Sequence, residues 1–386
     1  MIRFYIICML CFWGFSACSK NNSTANNDTA NPKYSWQQFA FGVDLSYVNA
    51  LEQYGVKYQA NGITTDAYTA LANAGANVVR VRLWHNPQWH ASLHNGKIYN
   101  DLADVTNTIR RAKQLGMAVN LDIHYSDTWA DPAHQTTPAA WQQANLATLQ
   151  DSVYNYTLRV LQHLAAQNLT PEMVQVGNET NSGMLWPYGK VENGQFANFA
   201  SLLNAGIRAV RNFSQNSGIK PKIILHVAQF QNGQYWLNGI MRAGVTDFDI
   251  VGVSHYQQWS TLSSMEDVAL FVTNLKQLSG NKQVMVVETA YAWTNGFADN
   301  YPNIITTQPW NGYGVSKTEQ QRYLTTLTQQ VIRGGGSGVM YWEPAWITSG
   351  MRDLWNTGSP WENATLFDFD GKLLPSAAFM TERYRF

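Results

Sequence analysis

After Cys18 the chain of 386 residues contains no cysteine. The folded part therefore has no disulfide and no Cys-ligated metal. Charge is also scarce. Asp, Glu, Lys and Arg make up 13% of the chain, about half the ~25% usual for soluble domains. The 26 basic and 26 acidic side chains cancel. A neutral chain lacks the electrostatic footprint that nucleic acid or anionic lipid needs, so no nucleic-acid partner is expected. No apolar run approaches the ~18 residues of a membrane span. There is no Gly-rich phosphate loop after a strand-like run, no His-Glu-x-x-His and no Gly-x-Ser-x-Gly. Those absences argue against nucleotide binding, a zinc hydrolase and an α/β-hydrolase.

Aromatic side chains are plentiful, with 15 Trp, 19 Tyr and 16 Phe. Many flat apolar faces with few charges suit a neutral ligand such as a sugar. A hydrophobic content of 45% over this length can bury a large core.

The first segment, MIRFYIICMLCFWGFSAC, has one basic residue, a short apolar run and small residues before Cys18. It is expected to be a lipoprotein signal over 1–17, with Cys18 as the lipidated residue. An ordinary secretory signal with a chance Cys is the alternative. Residues 18–35 are polar, short-chained and aperiodic, and are expected to form a tether. The expected location is an outer membrane, reached through the lipid anchor. Residues 36–386 show no second linker and are expected to form one domain.

Eight β-branched runs punctuate that domain: 39–46, 77–84, 117–125, 173–180, 222–228, 248–256, 283–291 and 338–346. Helix-like stretches separate them. One runs from Asp101, an N-cap residue, to Gly116, a terminator. Eight strand–helix units predict an α/β fold, a (β/α)8 TIM barrel, with an open doubly wound sheet as runner-up.

Each run begins apolar and ends polar or aromatic. Such barrels carry their chemistry at the C-terminal strand ends. In NVVRVRLW, Arg80 and Arg82 alternate with Val79, Val81 and Leu83. Period-two geometry turns both Arg inward. A buried structural ion pair is the competing reading for Arg80 and Asp122, and applies less to Arg82. Glu179 ends the fourth run and Glu288 the seventh. Strands four and seven face each other across a small barrel mouth, so the two carboxylates can converge as in a glycosidase. Trp84, Trp129, Trp186, Trp259, Trp293, Trp342 and Trp346 all fall near strand ends. Indole rings stack on sugar C–H faces. His85, His90 and His94 cluster after the second run, but their setting does not suit zinc.

The segments FGVDLS, NVVRVRLWHNP, LDIHYSDTWADP, MVQVGNETNSGMLWP, GVSHYQQW, VMVVETAY, GVMYWEPAWI and WENATLFDFDGKLLPS occur in order from about residue 40 to 376. Together they resemble glycoside hydrolase family 53, the endo-β-1,4-galactanases, in a clan of retaining (β/α)8 hydrolases. The resemblance implies Glu179 as general acid/base and Glu288 as nucleophile. It implies that Asn178 bonds the hydroxyl beside the anomeric carbon, and that Arg82 and Tyr256 hold the charge on Glu288. Trp342 would be the platform under the sugar being cleaved. Asp122, His124 and Asp127 would line the site, with Trp84, Trp129 and Trp186 as further candidates. The implied substrate is β-1,4-galactan or its oligosaccharides. Some members of the family hold calcium in the loop after strand seven. Here that loop offers Asp299 and few other carboxylates, so no cofactor is expected to be required, with calcium in that loop as the alternative. A monomer is the default. Another polysaccharidase of the same clan, a mannanase or cellulase, and a glycan-binding lipoprotein that does not cut are the alternatives.

Overall fold

The computed structural model describes residues 30–306, 310 and 312–386. The expected signal segment and Cys18 lie outside these residues. Eight strands close into a barrel: β1 (Ala40–Asp44), β2 (Val78–Leu83), β3 (Ala118–Ile123), β4 (Met173–Val176), β5 (Lys222–Ala228), β6 (Ile250–Ser254), β7 (Gln283–Glu288) and β8 (Gly338–Tyr341). Every neighbouring pair is parallel, and β8 closes on β1. The (β/α)8 expectation is met, with two local differences. A short hairpin, Tyr58–Ala60 with Ile63–Thr65, is inserted after β1. After β8 the chain forms 3-10 turns, Glu362–Ala364 and Pro375–Thr381, where an eighth outer helix would stand.

The alternation of side chains builds two separate cores. Val79, Val81 and Leu83 of β2 join the large apolar layer between strands and helices. Inside the barrel, at the N-terminal ends of the strands, Ala40, Val78, Ala118, Met173, Ile224, Ile250, Met285 and Met340 form an apolar plug. Gly42 makes room for Met340, since a Cβ there would lie 2.3 Å from Met340 Cγ. Above the plug the inward side chains turn polar: Asp44, Arg80, Asn120, Asp122, Gln175, His226 and Ser254, all buried. Burying such groups is tolerable only if each finds a partner.

Asp101 caps the helix Leu102–Gln114 by accepting from Asp104 N, and Gly116 follows its end at φ +75°. Gly116 is also a contact point. A Cβ there would lie 2.3 Å from Asn31 O, and Lys33 N donates to Gly116 O at 2.7 Å. Tyr34 is buried against the plug. The described end of the expected tether is thus docked on the N-terminal face of the barrel. The folded domain begins before residue 36 because Tyr34 supplies apolar area that closes the plug.

Candidate active site

Four strand ends turn sharply at the opposite face. Tyr125, Glu179, Gln229 and Glu343 follow β3, β4, β5 and β8 with φ of 51°, 44°, 65° and 46°. Left-handed backbone at residues with side chains is costly, and clusters where function demands it. These turns surround a cavity of about 410 Å³ lined by Glu179, Glu288, Tyr256, Trp342 and Trp361 among others.

Glu179 and Glu288 come together. One carboxylate oxygen of each, with a ring nitrogen of His226, lies in a group whose atoms are all within 4.8 Å of one another. Their environments differ. Glu288 Oε1 lies 2.8 Å from Arg80 Nη2, and Glu288 Oε2 accepts from Tyr256 Oη at 2.9 Å. Burial raises the Glu288 carboxyl, while Arg80 and then Tyr256 favour its charged form. Glu179 has no cation of its own. Burial first and ionised Glu288 second raise its carboxyl to about 8, against a hydrogen bond from Ser254. The two titrate as a pair, and the shared proton resides on Glu179 because Arg80 and Tyr256 hold the charge on Glu288.

The Ser254 contact follows from a histidine tautomer. His226 Nδ1 accepts from Glu179 N at 3.2 Å and from Gln175 Nε2 at 2.9 Å. Asn178 Oδ1 also lies 3.0 Å from Nδ1, but the Glu179 N–H directed at Nδ1 favours the tautomer with the proton on Nε2, which then donates to Ser254 Oγ at 2.8 Å. In that tautomer Ser254 accepts from His226, which leaves its own proton for the Glu179 carboxylate. Burial holds His226 neutral, far below its ordinary range, with Arg80 adding to this.

Arg80 is shared among Asp44 at 2.7 Å, Asp122 at 2.8 Å, Glu288 and the Asn178 side-chain oxygen at 2.8 Å. Asn178 is anchored a second time through its amide to Ala130 O at 2.8 Å. His124 Nδ1 accepts from Trp84 Nε1 at 3.2 Å, so its Nε2–H donates to Asp122 at 3.0 Å. Burial would raise Asp122, but Arg80 and then His124 outweigh it and hold the carboxyl low.

Several expected residues differ in place or in partner. Arg82 lines the cavity but does not reach Glu288; it pairs with Glu343 at 3.0 Å. Its guanidinium lies 4.3 Å from the Tyr47 ring centre and 4.4 Å from that of Trp129. Arg80 takes the expected place because it stands lower on the tilted strand, in register with Asp44 and Asn120. Asp122 is wholly buried against Arg80 and is not part of the cavity lining. Trp84 is also wholly buried, its ring against Trp89 and Trp129. Asp127 binds His85 Nδ1 at 3.2 Å and accepts from Ala139 N at 2.8 Å, outside the cavity lining. Trp186 lines a separate small pocket with Trp141 and Tyr188. Trp293 is buried against Phe369. His255 turns outward against Phe230.

Asn178, His124, Tyr256, Trp129, Trp259, Trp342 and Trp346 do line the cavity. Trp342 sits in an aromatic corner: Trp361 stands edge-on to it at 4.6 Å and donates Nε1–H to Trp342 O at 3.1 Å. Trp361, Trp355, Gln229 and Asp353 also line the cavity and were not singled out by strand-end reasoning. Trp355 and Trp361 sit on the long segment after β8, where no periodicity marks them.

Neither candidate metal set is well built for a cation. Beside Glu179 and Glu288, Arg80 already occupies the cationic position and both His226 nitrogens are engaged. In the loop after β7, Asp299 accepts from Tyr301 N at 2.6 Å, from Ser359 N at 2.8 Å and from the Thr348 hydroxyl. Glu362 Oε1 accepts from Ala298 N at 2.8 Å, and among the described residues there Glu362 Oε2, Asn303 Oδ1 and Asn363 Oδ1 lack partners. One free carboxylate oxygen and two amide oxygens fall far short of the 6–8 oxygens calcium takes. These residues do not fit a calcium ion.

Comparisons with known proteins agree with this architecture. The model of glycosyl hydrolase family 53 matches residues 40–380. An arabinogalactan endo-β-1,4-galactanase of Cellvibrio japonicus is 41% identical, over 90% of this chain and 92% of that protein. One of Thermothelomyces thermophilus is 34% identical, over 87% and 96%. The solved catalytic domain from Ignisphaera aggregans superposes with a TM-score of 0.81 at 34% identity, covering 92% of this chain and 99% of that one. With barrel, paired glutamates and aromatic corner in place, the chain belongs to glycosyl hydrolase family 53.

Proposed function

We propose that this hydrolase cleaves β-1,4-galactosidic bonds within galactan or type I arabinogalactan, with retention of configuration. The carrying observation is the approach of Glu179 and Glu288, whose oxygens lie within 4.8 Å. Retaining enzymes hold their carboxyl groups about 5–5.5 Å apart, whereas inverting ones need about 6.5–9.5 Å. Glu288, kept ionised by Arg80 and Tyr256, attacks the anomeric carbon. Glu179, kept protonated, donates to the leaving oxygen. Its pKa falls once Glu288 is esterified, because the neighbouring charge is gone. Glu179 then takes the proton of the incoming water, which frees the sugar and restores Glu288. Asn178, fixed by Arg80 and Ala130, supplies a polar contact to the hydroxyl beside the reacting carbon. Trp342 carries the sugar's apolar face. The galactanases that share most of this chain's length support the substrate.

Export as a lipoprotein anchored at Cys18, in the outer membrane and as a monomer, is part of the same reading. It draws support from the docking of Lys33 and Tyr34 at the N-terminal face of the barrel. A tether leaving there would point the catalytic mouth away from the membrane.

Reducing-sugar release with product analysis on galactan, mannan and cellulose tests the activity. Internal cleavage of galactan alone is the expected result. Release from mannan or cellulose instead would move the enzyme elsewhere in the clan. Binding without release would make it a glycan-binding protein.

A further inference from the structure

A second groove begins where the catalytic cavity ends. The helix Phe230–Arg242 follows β5 and presents Gln231, Gln234, Tyr235, Asn238 and Arg242 on one face, at i, i+3, i+4, i+7 and i+11. Gly194 and Phe196, from the segment after β4, form the other side of this groove of about 790 Å³. Tyr235 is 61% exposed, yet its ring is held. It meets Phe196 edge-on at 5.7 Å. Phe196 can lie that close to the helix because residue 239 is glycine; a Cβ there would fall 2.3 Å from the Phe196 ring.

A single exposed aromatic is ordinary on a protein surface. Its company here is selective. Three carboxamides flank it; Gln234 and Asn238 present amide groups that can bond hydroxyls, while Gln231 has its oxygen buried and its nitrogen bonded to Trp259 O. Gln234 Oε1 accepts from Asn274 at 3.2 Å, which steadies that amide. Among the described residues no carboxylate lines the groove, and Arg242 brings the one formal charge. A flat ring bordered by neutral amides suits a neutral polyhydroxylated chain better than a peptide or a lipid surface. The groove also continues the cavity. Gln231 Nε2 donates to Trp259 O at 3.0 Å, and Trp259 lines the cavity with its ring 46% exposed. From Gln231 to Arg242 the helix rises about 16 Å, room for several sugar units.

We propose that this groove is a second binding site for the polysaccharide, taking a segment of β-1,4-galactan beyond the units held in the catalytic cavity. The proposal rests on the galactan reading of that cavity. It gives the enzyme a preference for long chains, because a short oligosaccharide fills the cavity without reaching Tyr235.

The test compares wild type with Tyr235→Ala, a change at an exposed position outside the catalytic machinery. The kcat/KM is measured on galactan and on a short galacto-oligosaccharide. Binding is read by retardation in galactan-containing gels in a Glu288→Gln background, which prevents digestion of the gel. The expected result is a fall of about 3- to 10-fold on the polymer, weaker retardation, and short-substrate kinetics within about twofold of wild type. Unchanged polymer kinetics and retardation would overturn the groove while leaving the galactanase reading intact. An equal fall on both substrates would also overturn it, since the effect would then lie in the cavity. A wild type that does not hydrolyse galactan would overturn both readings.

Discussion

Arg80 Nη2 lies 2.8 Å from Glu288 Oε1, reaching across the barrel interior from β2 to β7. The same guanidinium serves two further carboxylates, Asp44 and Asp122. Removing its charge would leave acids buried without a cation, at a cost of roughly 3–5 kcal/mol. The informative variant is therefore Arg80→Lys, which keeps charge and loses the planar fork. A fall in kcat/KM of about 100-fold or more is expected, with a folded protein by circular dichroism. Arg82→Lys disturbs Glu343 and the Tyr47–Trp129 stack, and is expected to lower thermal stability more than turnover. Equal kinetic losses for the two variants would refute the assignment of Arg80 to Glu288.

The two glutamates can be told apart chemically. Glu288→Ala removes the nucleophile, and hydrolysis is expected to drop at least about 1,000-fold. Azide, filling the vacated space, should restore cleavage of an activated galactoside and give the product of inverted configuration. Glu179→Ala with azide should give the retained configuration. Product configuration by NMR is the measurement, and swapped outcomes would exchange the roles.

The pH profile should report the Glu179–Glu288 pair. Glu179 titrates near 8 in the resting site, and bond cleavage needs its proton. The kcat/KM is therefore expected to fall as pH rises through about 8. Ser254 donates to the ionised form of Glu179, so it stabilises the charge and lowers the pKa. Ser254→Ala should move the basic limb upward. A limb that stays put or moves down in that variant would show that Ser254 does not donate to Glu179.

Two tryptophans separate the cavity from its support. Trp361→Phe removes the N–H that bonds Trp342 O and loosens the aromatic corner. KM should rise about 3- to 10-fold with a smaller change in kcat. Trp84→Phe, wholly buried, should cost about 1–3 kcal/mol of stability with KM nearly unchanged. Steady-state kinetics and chemical denaturation together distinguish the two.

Calcium chelation offers a fifth check. Asp299 already accepts from two backbone amides and a hydroxyl. Treatment with EDTA is expected to leave the melting temperature and activity unchanged. A drop in either, reversed by calcium, would show a site that the hydrogen bonding of Asp299 does not reveal.

Strand ends carried most of what was legible in advance. Glu179, Glu288, Asn178 and Tyr256 are legible because each follows a short β-branched run, and such runs end at one face of the barrel. Trp361 and Trp355 were hidden because they stand on an irregular segment, where no period connects position to place. Trp84 looked like a cleft residue by its distance from β2, but loop packing against Trp89 and Trp129 buried it.

The sequence by itself determined the barrel, its polar interior and the pair of glutamates at its mouth. These follow from local periodicity, which fixes the face each side chain occupies. Only the tertiary structure decided that Arg80 rather than Arg82 meets Glu288. Both face inward, and the choice depends on strand tilt and stagger, which closing the barrel sets across the whole sheet. The structure likewise decided that Ser254 must donate to Glu179. That constraint arises from the tautomer of His226, which depends on partners from β4 and the turn after it on one side and from β6 on the other.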